Sequence, residues 1–254
     1  MQQSRKIPTV NVSMRAASQT EALVLIPGLG GNAELFSHAM ARLSRARPVT
    51  LALPVGGERI EEIAGAMLPH LPQRVALVGH GLGSVVALEI LRRAPKRVAR
   101  LALISPMPFP DTPAEAAERD ARMIALRAGR IADWVEAEFA RAVPGDAIAR
   151  GARLARIAGM VEALGPEIVL RQARALQRRG DYQGAFRRCT QPIHLISGAD
   201  DPLCPPRRQD VLSGLAPDAR LTRIEGAGHF PMLDAPDAVT DALEAFVDAP
   251  FVLR

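Results

Sequence analysis

Short hydrophobic runs alternate with segments whose apolar residues recur every three or four positions along the first hundred residues. Such runs are typical of strands buried on both faces of a parallel sheet, and the segments between them are typical of crossover helices. The predicted buried strands are Leu23–Ile26, Val49–Leu53, Val75–Val78 and Leu101–Ile104, preceded by a predicted edge strand, Thr9–Met14. The predicted helices are Ala33–Arg45, Ile60–Leu71 and Leu82–Ala94. The pattern therefore predicts an α/β fold with a mostly parallel central sheet flanked by helices.

A proline cluster from Pro106 to Pro110 interrupts this alternation, because proline continues neither a strand ladder nor a helix. Between Pro113 and Gly180 there is no strand-like run, and glycine and proline divide the segment into four predicted helices. Two further strands and a final amphipathic helix are then predicted at Ile193–Ile196, Leu221–Ile224 and Pro236–Val247. We therefore expect residues 111–186 to form a helical lid inserted into a core made of residues 1–110 and 187–254.

Composition and charge argue against several classes of protein, among them membrane, secreted and nucleic-acid-binding proteins. The 254 residues are 48% hydrophobic, enough to bury one large core. The longest run without a charge, Val75 to Leu88, is well short of the roughly 20 apolar residues of a membrane helix, and no secretory signal follows Met1. The net charge is +5, but basic and acidic residues are interspersed, so we expect no nucleic-acid partner and no membrane. Cys189 and Cys204 are too few for a disulfide framework, which favours reduced thiols in a cytoplasm and no bound metal.

Glycine-containing loops follow four of the predicted strands. They are Pro27–Asn32, Gly79–Ser84, Gly198–Pro202 and Gly226–Pro231. In open α/β sheets the carboxyl ends of the strands and the N-termini of the following helices converge at one edge, where ligand sites form. We therefore expect these loops to meet in a single site.

These loops and their order resemble the α/β-hydrolase fold family over nearly the whole chain, from Glu21 to the last helix. The resemblance is to small carboxylesterases of the pimeloyl-carrier methyl ester esterase kind, which carry a helical lid. The family's nucleophile lies in a G-x-S-x-G strand-turn-helix, and the corresponding residues are Gly79, His80, Gly81, Leu82 and Gly83. Gly81 therefore stands at the nucleophile position, and Ser84 is predicted to lie inside the following helix. Glycine relieves roughly 1–3 kcal/mol of backbone strain at such a turn but offers no nucleophile.

The resemblance implies roles for further residues. The family's acid matches Asp201, with Asp200 as the alternative, and the family's histidine in a glycine-rich turn matches His229. Asp201 would then orient His229 and stabilise its protonated form. The implied oxyanion donors are the backbone N–H groups of Leu29 and Leu82. The family's chemistry needs no metal or organic cofactor, and the implied substrate is a small-molecule ester or acyl compound.

Three functional interpretations remain open from the sequence. The first is an ester or acyl hydrolase whose nucleophile has been replaced by Gly81, by natural change or by engineering. The second is a natural non-covalent enzyme, a hydrolase or lyase, in which His229 acts as general base on water or on a carbonyl substrate. The third is a catalytically dead protein that keeps the pocket and binds a ligand. Retention of Asp201 and His229 favours the first two, since a pure binder has no evident need for an oriented acid–base pair.

Overall fold

Six parallel strands form the central sheet in the part of the chain that the structure describes, residues 21–216 and 218–250. The structure is a computed structural model. Its strands are β1 (Ala22–Ile26), β2 (Val49–Leu51), β3 (Val75–His80), β4 (Val98–Ile104), β5 (Ile193–Gly198) and β6 (Arg220–Ile224). Their order across the sheet is β2-β1-β3-β4-β5-β6, and every neighbouring pair is parallel. The predicted α/β fold is confirmed, whereas the predicted strand Thr9–Met14 lies outside the described residues.

Burial differs between the inner and outer strands of this sheet. Every residue of β3, β4 and β5 is buried, which requires that helices cover both faces. The prediction that Val49–Leu53 is buried on both faces was wrong. Val49 and Leu51 are half-buried and Thr50 is exposed, because β2 lies at the edge of the described sheet with only β1 beside it.

Eleven α-helices occur among the described residues. They are α1 (Ser37–Leu43), α2 (Ile60–Met67), α3 (Leu82–Arg93), α4 (Pro113–Arg127), α5 (Ile131–Phe139), α6 (Ala147–Leu164), α7 (Pro166–Gln177), α8 (Gln183–Arg187), α9 (Pro206–Leu215), α10 (Pro231–Asp234) and α11 (Pro236–Val247). The predicted helix at the end of the chain matches α11. The segments predicted as Ala33–Arg45 and Ile60–Leu71 each combine an α-helix with a short 3₁₀ turn. Within the described ranges, no helix combines the length and the apolar character needed to cross a bilayer.

The helices α4 to α8 lie between β4 and β5, and the first four of them are the helices predicted between Pro113 and Gly180. Helix α4 begins at Pro113 because the Thr112 hydroxyl accepts from the Glu115 N–H while the Glu115 carboxylate accepts from the Thr112 N–H. Helices α4 and α7 pack against each other, as do α4 and α5, α5 and α6, and α6 and α7. Helices α4 to α7 therefore form a connected layer of their own.

Candidate active site

The turn between β3 and α3 is a tight strand-to-helix elbow. Gly81 has φ +49° and ψ −112°, a conformation that strongly favours glycine. A Cβ on Gly79 would lie 2.3 Å from the carbonyl oxygen of Gly83, and a Cβ on Gly83 would lie 2.0 Å from the carbonyl oxygen of Ile26. These two glycines are therefore required for the close approach of β1, β3 and α3. The elbow holds residue 81 at the carboxyl edge of the sheet.

Position 81 faces the imidazole of His229. A Cβ at position 81 would lie 3.3 Å from His229 Nε2. The next-nearest residue in space would be Gly28, whose Cα would lie 3.9 Å from that Cβ. A side chain at this position would therefore meet the ring nitrogen, at a distance slightly shorter than ordinary van der Waals contact. Ser84 does not replace it, because its buried hydroxyl donates to the carbonyl oxygen of Gly81 at 2.6 Å, inside the first turn of α3.

His229 and Asp201 form a buried pair. His229 Nδ1 lies 3.0 Å from Asp201 Oδ2, and both side chains are at most 4% exposed. Asp201 Oδ1 accepts from the N–H groups of Leu203 at 2.9 Å and Cys204 at 3.1 Å. Burial acts to raise the pKa of Asp201, but the charge and hydrogen bond of His229 and the Cys204 amide outweigh it and hold that pKa at about 2. The structure thus brings Asp201 to His229, while the alternative acid, Asp200, is exposed.

This pairing determines which His229 nitrogen is available for chemistry. With Nδ1–H donated to an ionised carboxylate, Nε2 is left as the proton acceptor. Nε2 is the nitrogen that faces position 81. The arrangement can therefore accept a proton from a group placed above the elbow.

The loop that carries His229 is anchored to the inserted helices. The His229 N–H donates to the carbonyl oxygen of Ala142 at 2.9 Å. The N–H of Gly228 donates to Asp234 Oδ2 at 2.9 Å, and Asp234 Oδ1 lies 2.6 Å from Arg153 Nε on α6. A Cβ on Gly228 would lie only 2.3 Å from the Ala142 carbonyl oxygen, so glycine is needed for this approach.

The two predicted oxyanion donors lie beside His229. Leu29 and Leu82 line the same cavity as its ring. Neither of their N–H groups donates a hydrogen bond within residues 21–216 and 218–250. For Leu82 this follows from its place as the first residue of α3, where an N–H has no partner inside the helix. Both amides are therefore available to a ligand oxygen.

Gln172 on α7 fixes the loop that contains Leu29, a contact that the sequence did not indicate. Its Oε1 accepts from the N–H of Gly30 at 3.0 Å, and its Nε2 donates to the carbonyl oxygen of Pro54 at 3.2 Å. The side chain is fully buried. Because Gln172 binds the Gly30 amide, the neighbouring Leu29 amide is the one left free. A signal was present in the sequence, since Gln172 shares the apolar face of α7 with Val169.

The His80 side chain holds the loop that carries His229 in place. Its Nε2 lies 2.8 Å from the carbonyl oxygen of His229, to which it donates, and its ring packs tilted against the His229 ring at a centroid distance of 5.0 Å. Burial lowers the pKa of His80 to about 3, so this ring is neutral. A Cβ on Gly28 would lie 2.5 Å from His80 Nδ1, which explains the glycine there.

A small cavity lies over His229, between the sheet edge and the inserted helices. Its lining residues are Leu29, His80, Leu82, Met107, Arg119, Glu138, Phe139, Leu176, Leu203, His229 and Phe230. The volume of this cavity is about 10 Å³, measured as the space that the centre of a water molecule can occupy. That is room for about one water molecule.

The sequence profile of the alpha/beta hydrolase family matches residues 23–242. The chain belongs to this family. The order residue 81, Asp201, His229 is also the order in which alpha/beta hydrolases carry nucleophile, acid and histidine.

Relatives of this alpha/beta hydrolase include esterases and other hydrolases. A pimeloyl-[acyl-carrier protein] methyl ester esterase of Aromatoleum aromaticum is 32% identical over 89% of this chain and 97% of its own length. A putative carbamate hydrolase, RutD, of Pseudomonas savastanoi is 30% identical over 89% of this chain and 93% of its own. The family and these relatives identify the chain as an alpha/beta hydrolase of esterase-related type.

Solved structures agree on the architecture. The enol-lactonase from Burkholderia xenovorans LB400 superposes with a TM-score of 0.81 at 20% identity, covering 91% of this chain and 92% of its own. A thermophilic esterase from Thermogutta terrifontis, solved with malate bound, gives a TM-score of 0.78 at 22% identity and covers 89% of each chain. At these identities the similarity establishes the fold.

Proposed function

We propose that the protein is a hydrolase of carboxylic esters or acyl compounds in which Gly81 occupies the place of the nucleophile. The observation that carries the proposal is the 3.3 Å between a Cβ at position 81 and His229 Nε2. A serine hydroxyl there would lie within reach of a base whose other nitrogen is bonded to Asp201, the geometry that acyl transfer requires. The free amides of Leu29 and Leu82 complete an oxyanion site.

In the protein as it stands, water takes the place of the missing hydroxyl. The cavity has room for about one water molecule beside His229. As the water oxygen attacks the ester carbonyl carbon, Nε2 takes one water proton and the carbonyl electron pair moves to its oxygen, between the amides of Leu29 and Leu82. The C–O bond to the leaving group then breaks, and His229 returns the proton to the alkoxide. The products are a carboxylic acid and an alcohol.

The size of the expected effect follows from the missing covalent step. A triad that lacks one member keeps about 10³–10⁴-fold acceleration over water through its oxyanion site and substrate binding. We expect slow hydrolysis by the protein itself and a gain in kcat of about 100-fold or more for Gly81→Ser.

The test is a four-protein comparison with p-nitrophenyl esters of two to eight acyl carbons. The proteins are the parent, Gly81→Ser, His229→Gln and the double variant, with Ser44→Ala, at an exposed serine that follows α1, as the control. We expect slow turnover by the parent, a burst and faster turnover by Gly81→Ser, and loss of both in the His229 variants, while Ser44→Ala leaves the parent rate unchanged. Absence of turnover and of a burst in Gly81→Ser overturns the proposal. Thermal stabilisation by an ester without any product would favour a binding protein instead.

We also propose that residues 111–186 act as a lid over the core formed by residues 1–110 and 187–254. Phe139 of α5 and Leu176 of α7 line the cavity over His229, which supports a role in shaping the acyl pocket.

A further inference from the structure

One ring nitrogen in the wall of the cavity over His229 is buried and makes no hydrogen bond. It is Nδ1 of His80, which has no hydrogen-bond partner within residues 21–216 and 218–250. In these same ranges, no other residue lining the cavity has a buried side-chain nitrogen or oxygen without a partner. Buried polar atoms are almost always hydrogen-bonded, so this nitrogen calls for a partner of its own.

The hydrogen bond of the other ring nitrogen determines what Nδ1 can do. Nε2 of His80 lies 2.8 Å from the carbonyl oxygen of His229, and a carbonyl oxygen can only accept, so Nε2 carries the hydrogen of the ring. Burial lowers the pKa of His80 to about 3, so at neutral pH the ring holds no second proton. Nδ1 is therefore a bare nitrogen that accepts a hydrogen bond from any donor placed beside it.

This acceptor has a fixed direction. The His80 ring packs against the rings of His229 and Phe230, at centroid distances of 5.0 Å and 5.3 Å. A Cβ on Gly28 would lie 2.5 Å from His80 Nδ1, so this nitrogen faces Gly28. A Cβ at position 81 would lie 3.9 Å from the Gly28 Cα and 3.3 Å from His229 Nε2. The two acceptor nitrogens therefore border one space, which glycine leaves without a side chain at positions 28 and 81.

The dimensions of this space suit a single water molecule. The cavity has room for about one, and a buried water needs at least two polar partners. Two hydrogen bonds of about 2.8 Å each bridge atoms up to about 5.6 Å apart. The ring centres of His80 and His229 are 5.0 Å apart, a separation that such a bridge spans.

We propose that His80 is a second acceptor for the attacking water, which donates one hydrogen to His229 Nε2 and the other to His80 Nδ1. This inference rests on the proposed function, to which it adds the group that orients the nucleophile. With both hydrogens engaged, a lone pair of the water oxygen is left for the carbonyl carbon of the ester. The water is thus oriented before the reaction begins.

The two histidines have different parts in the step. As the water oxygen bonds to the carbonyl carbon, its O–H bond toward His229 breaks and that proton moves to Nε2, while the carbonyl electron pair moves to the carbonyl oxygen. The O–H bond toward His80 stays intact and becomes the hydroxyl of the product acid. A ring with a pKa of about 3 is too weak a base to take that proton. When the C–O bond to the leaving group breaks, His229 returns its proton to the alkoxide.

Two variants separate this role of His80 from its contact with the His229 loop. In His80→Gln the amide nitrogen can take the place of Nε2 and keep the hydrogen bond to the His229 carbonyl, while Nδ1 is lost. In His80→Asn the amide oxygen can take the place of Nδ1, while the hydrogen bond to His229 is lost. Each change is made in the parent and in Gly81→Ser. The burst of the serine variant uses no attacking water, so it reports on His229 as a base.

The assay is hydrolysis of p-nitrophenyl butyrate. His80→Gln should lower the turnover of the parent about tenfold, the worth of one hydrogen bond, and change the burst rate of Gly81→Ser less than twofold. His80→Asn should lower both rates by a similar factor, because it loosens the base. If His80→Gln lowers both rates equally, or neither, the proposal is overturned. His70→Gln, at an exposed histidine in the turn after α2, is the control and should change neither rate.

A crystal structure of the parent tests the same point without turnover and without a variant. We expect an ordered water at about 2.7–3.2 Å from both His80 Nδ1 and His229 Nε2. An ordered site with no water there, or with a water on His229 alone, overturns the inference even if the His80 variants do not fold. The two proposals therefore fail separately. A bridging water without a burst by Gly81→Ser removes only the proposed function, whereas ester hydrolysis with a water on His229 alone removes only the role of His80.

Discussion

Replacing Gly81 by alanine or serine separates strain at the elbow from chemistry. At φ +49° and ψ −112° a residue with a Cβ is strained by about 1–3 kcal/mol. Its Cβ would also meet His229 Nε2 at 3.3 Å, closer than ordinary van der Waals contact. Because a Cβ also restricts the conformations of the unfolded chain, about 0.4–1 kcal/mol of this strain is offset. We therefore expect each variant to lower the free energy of unfolding by about 1–2 kcal/mol.

Urea unfolding and thermal melting measure this loss, which corresponds to a fall in Tm of about 2–8 °C for a chain of this size. Gly151→Ala is the control, since Gly151 is exposed in the middle of α6 with open space around its Cα. That change should raise stability by about 0.5–1 kcal/mol, because alanine favours helix. A Gly81→Ala protein as stable as the parent would refute the strain argument. Equal losses in both variants, with faster ester hydrolysis only for serine, would support it.

Two further predictions concern buried polar side chains. Burial lowers the pKa values of His80 and His194 to about 3 and about 4, so below pH 6.5 the unfolded chain binds more protons. The free energy of unfolding should therefore fall by about 3 kcal/mol per histidine between pH 7.5 and 4.5. If urea unfolding gives the same free energy of unfolding across this pH range, the prediction is contradicted. Gln172→Leu leaves the Gly30 N–H and the Pro54 carbonyl unpaired, at about 1–3 kcal/mol each. In the serine variant this change should lower kcat with little effect on KM, because an oxyanion donor acts in the transition state; an unchanged kcat would show that Gln172 does not position the loop.

The strands and the elbow could be predicted because they depend on local patterns. A run such as Val75–Val78 is apolar at every position, and the glycines around position 81 are spaced for a strand-turn-helix. The extent of burial of β2 could not be predicted in this way. It depends on which strands lie beside β2 in the folded sheet. At the edge of the sheet, a strand with an apolar sequence pattern is only half-buried.

The long-range hydrogen bonds that hold the candidate site in place could not be predicted from the sequence, for a related reason. Gln172 binds an amide 142 positions away, and the Ala142 carbonyl accepts from His229 across the fold. No periodicity or spacing encodes such pairs, because they follow from the packing of the inserted helices on the sheet. What the sequence does contain is a polar residue on an apolar helix face, which is a reason to search for a buried partner.

Both halves of the candidate site depend on the inserted helices. The loop of Leu29 is fixed by Gln172 on α7, and the loop of His229 is fixed by the Ala142 carbonyl and through Asp234 by Arg153 on α6. Lifting these helices as one body would break hydrogen bonds on both sides and release the loops of Leu29 and His229 together. Substrate admission is therefore compatible with an ordered site only if it moves loop side chains and leaves α6 and α7 in place. Under the proposed function, the insertion would therefore hold the candidate site in place as well as cover it.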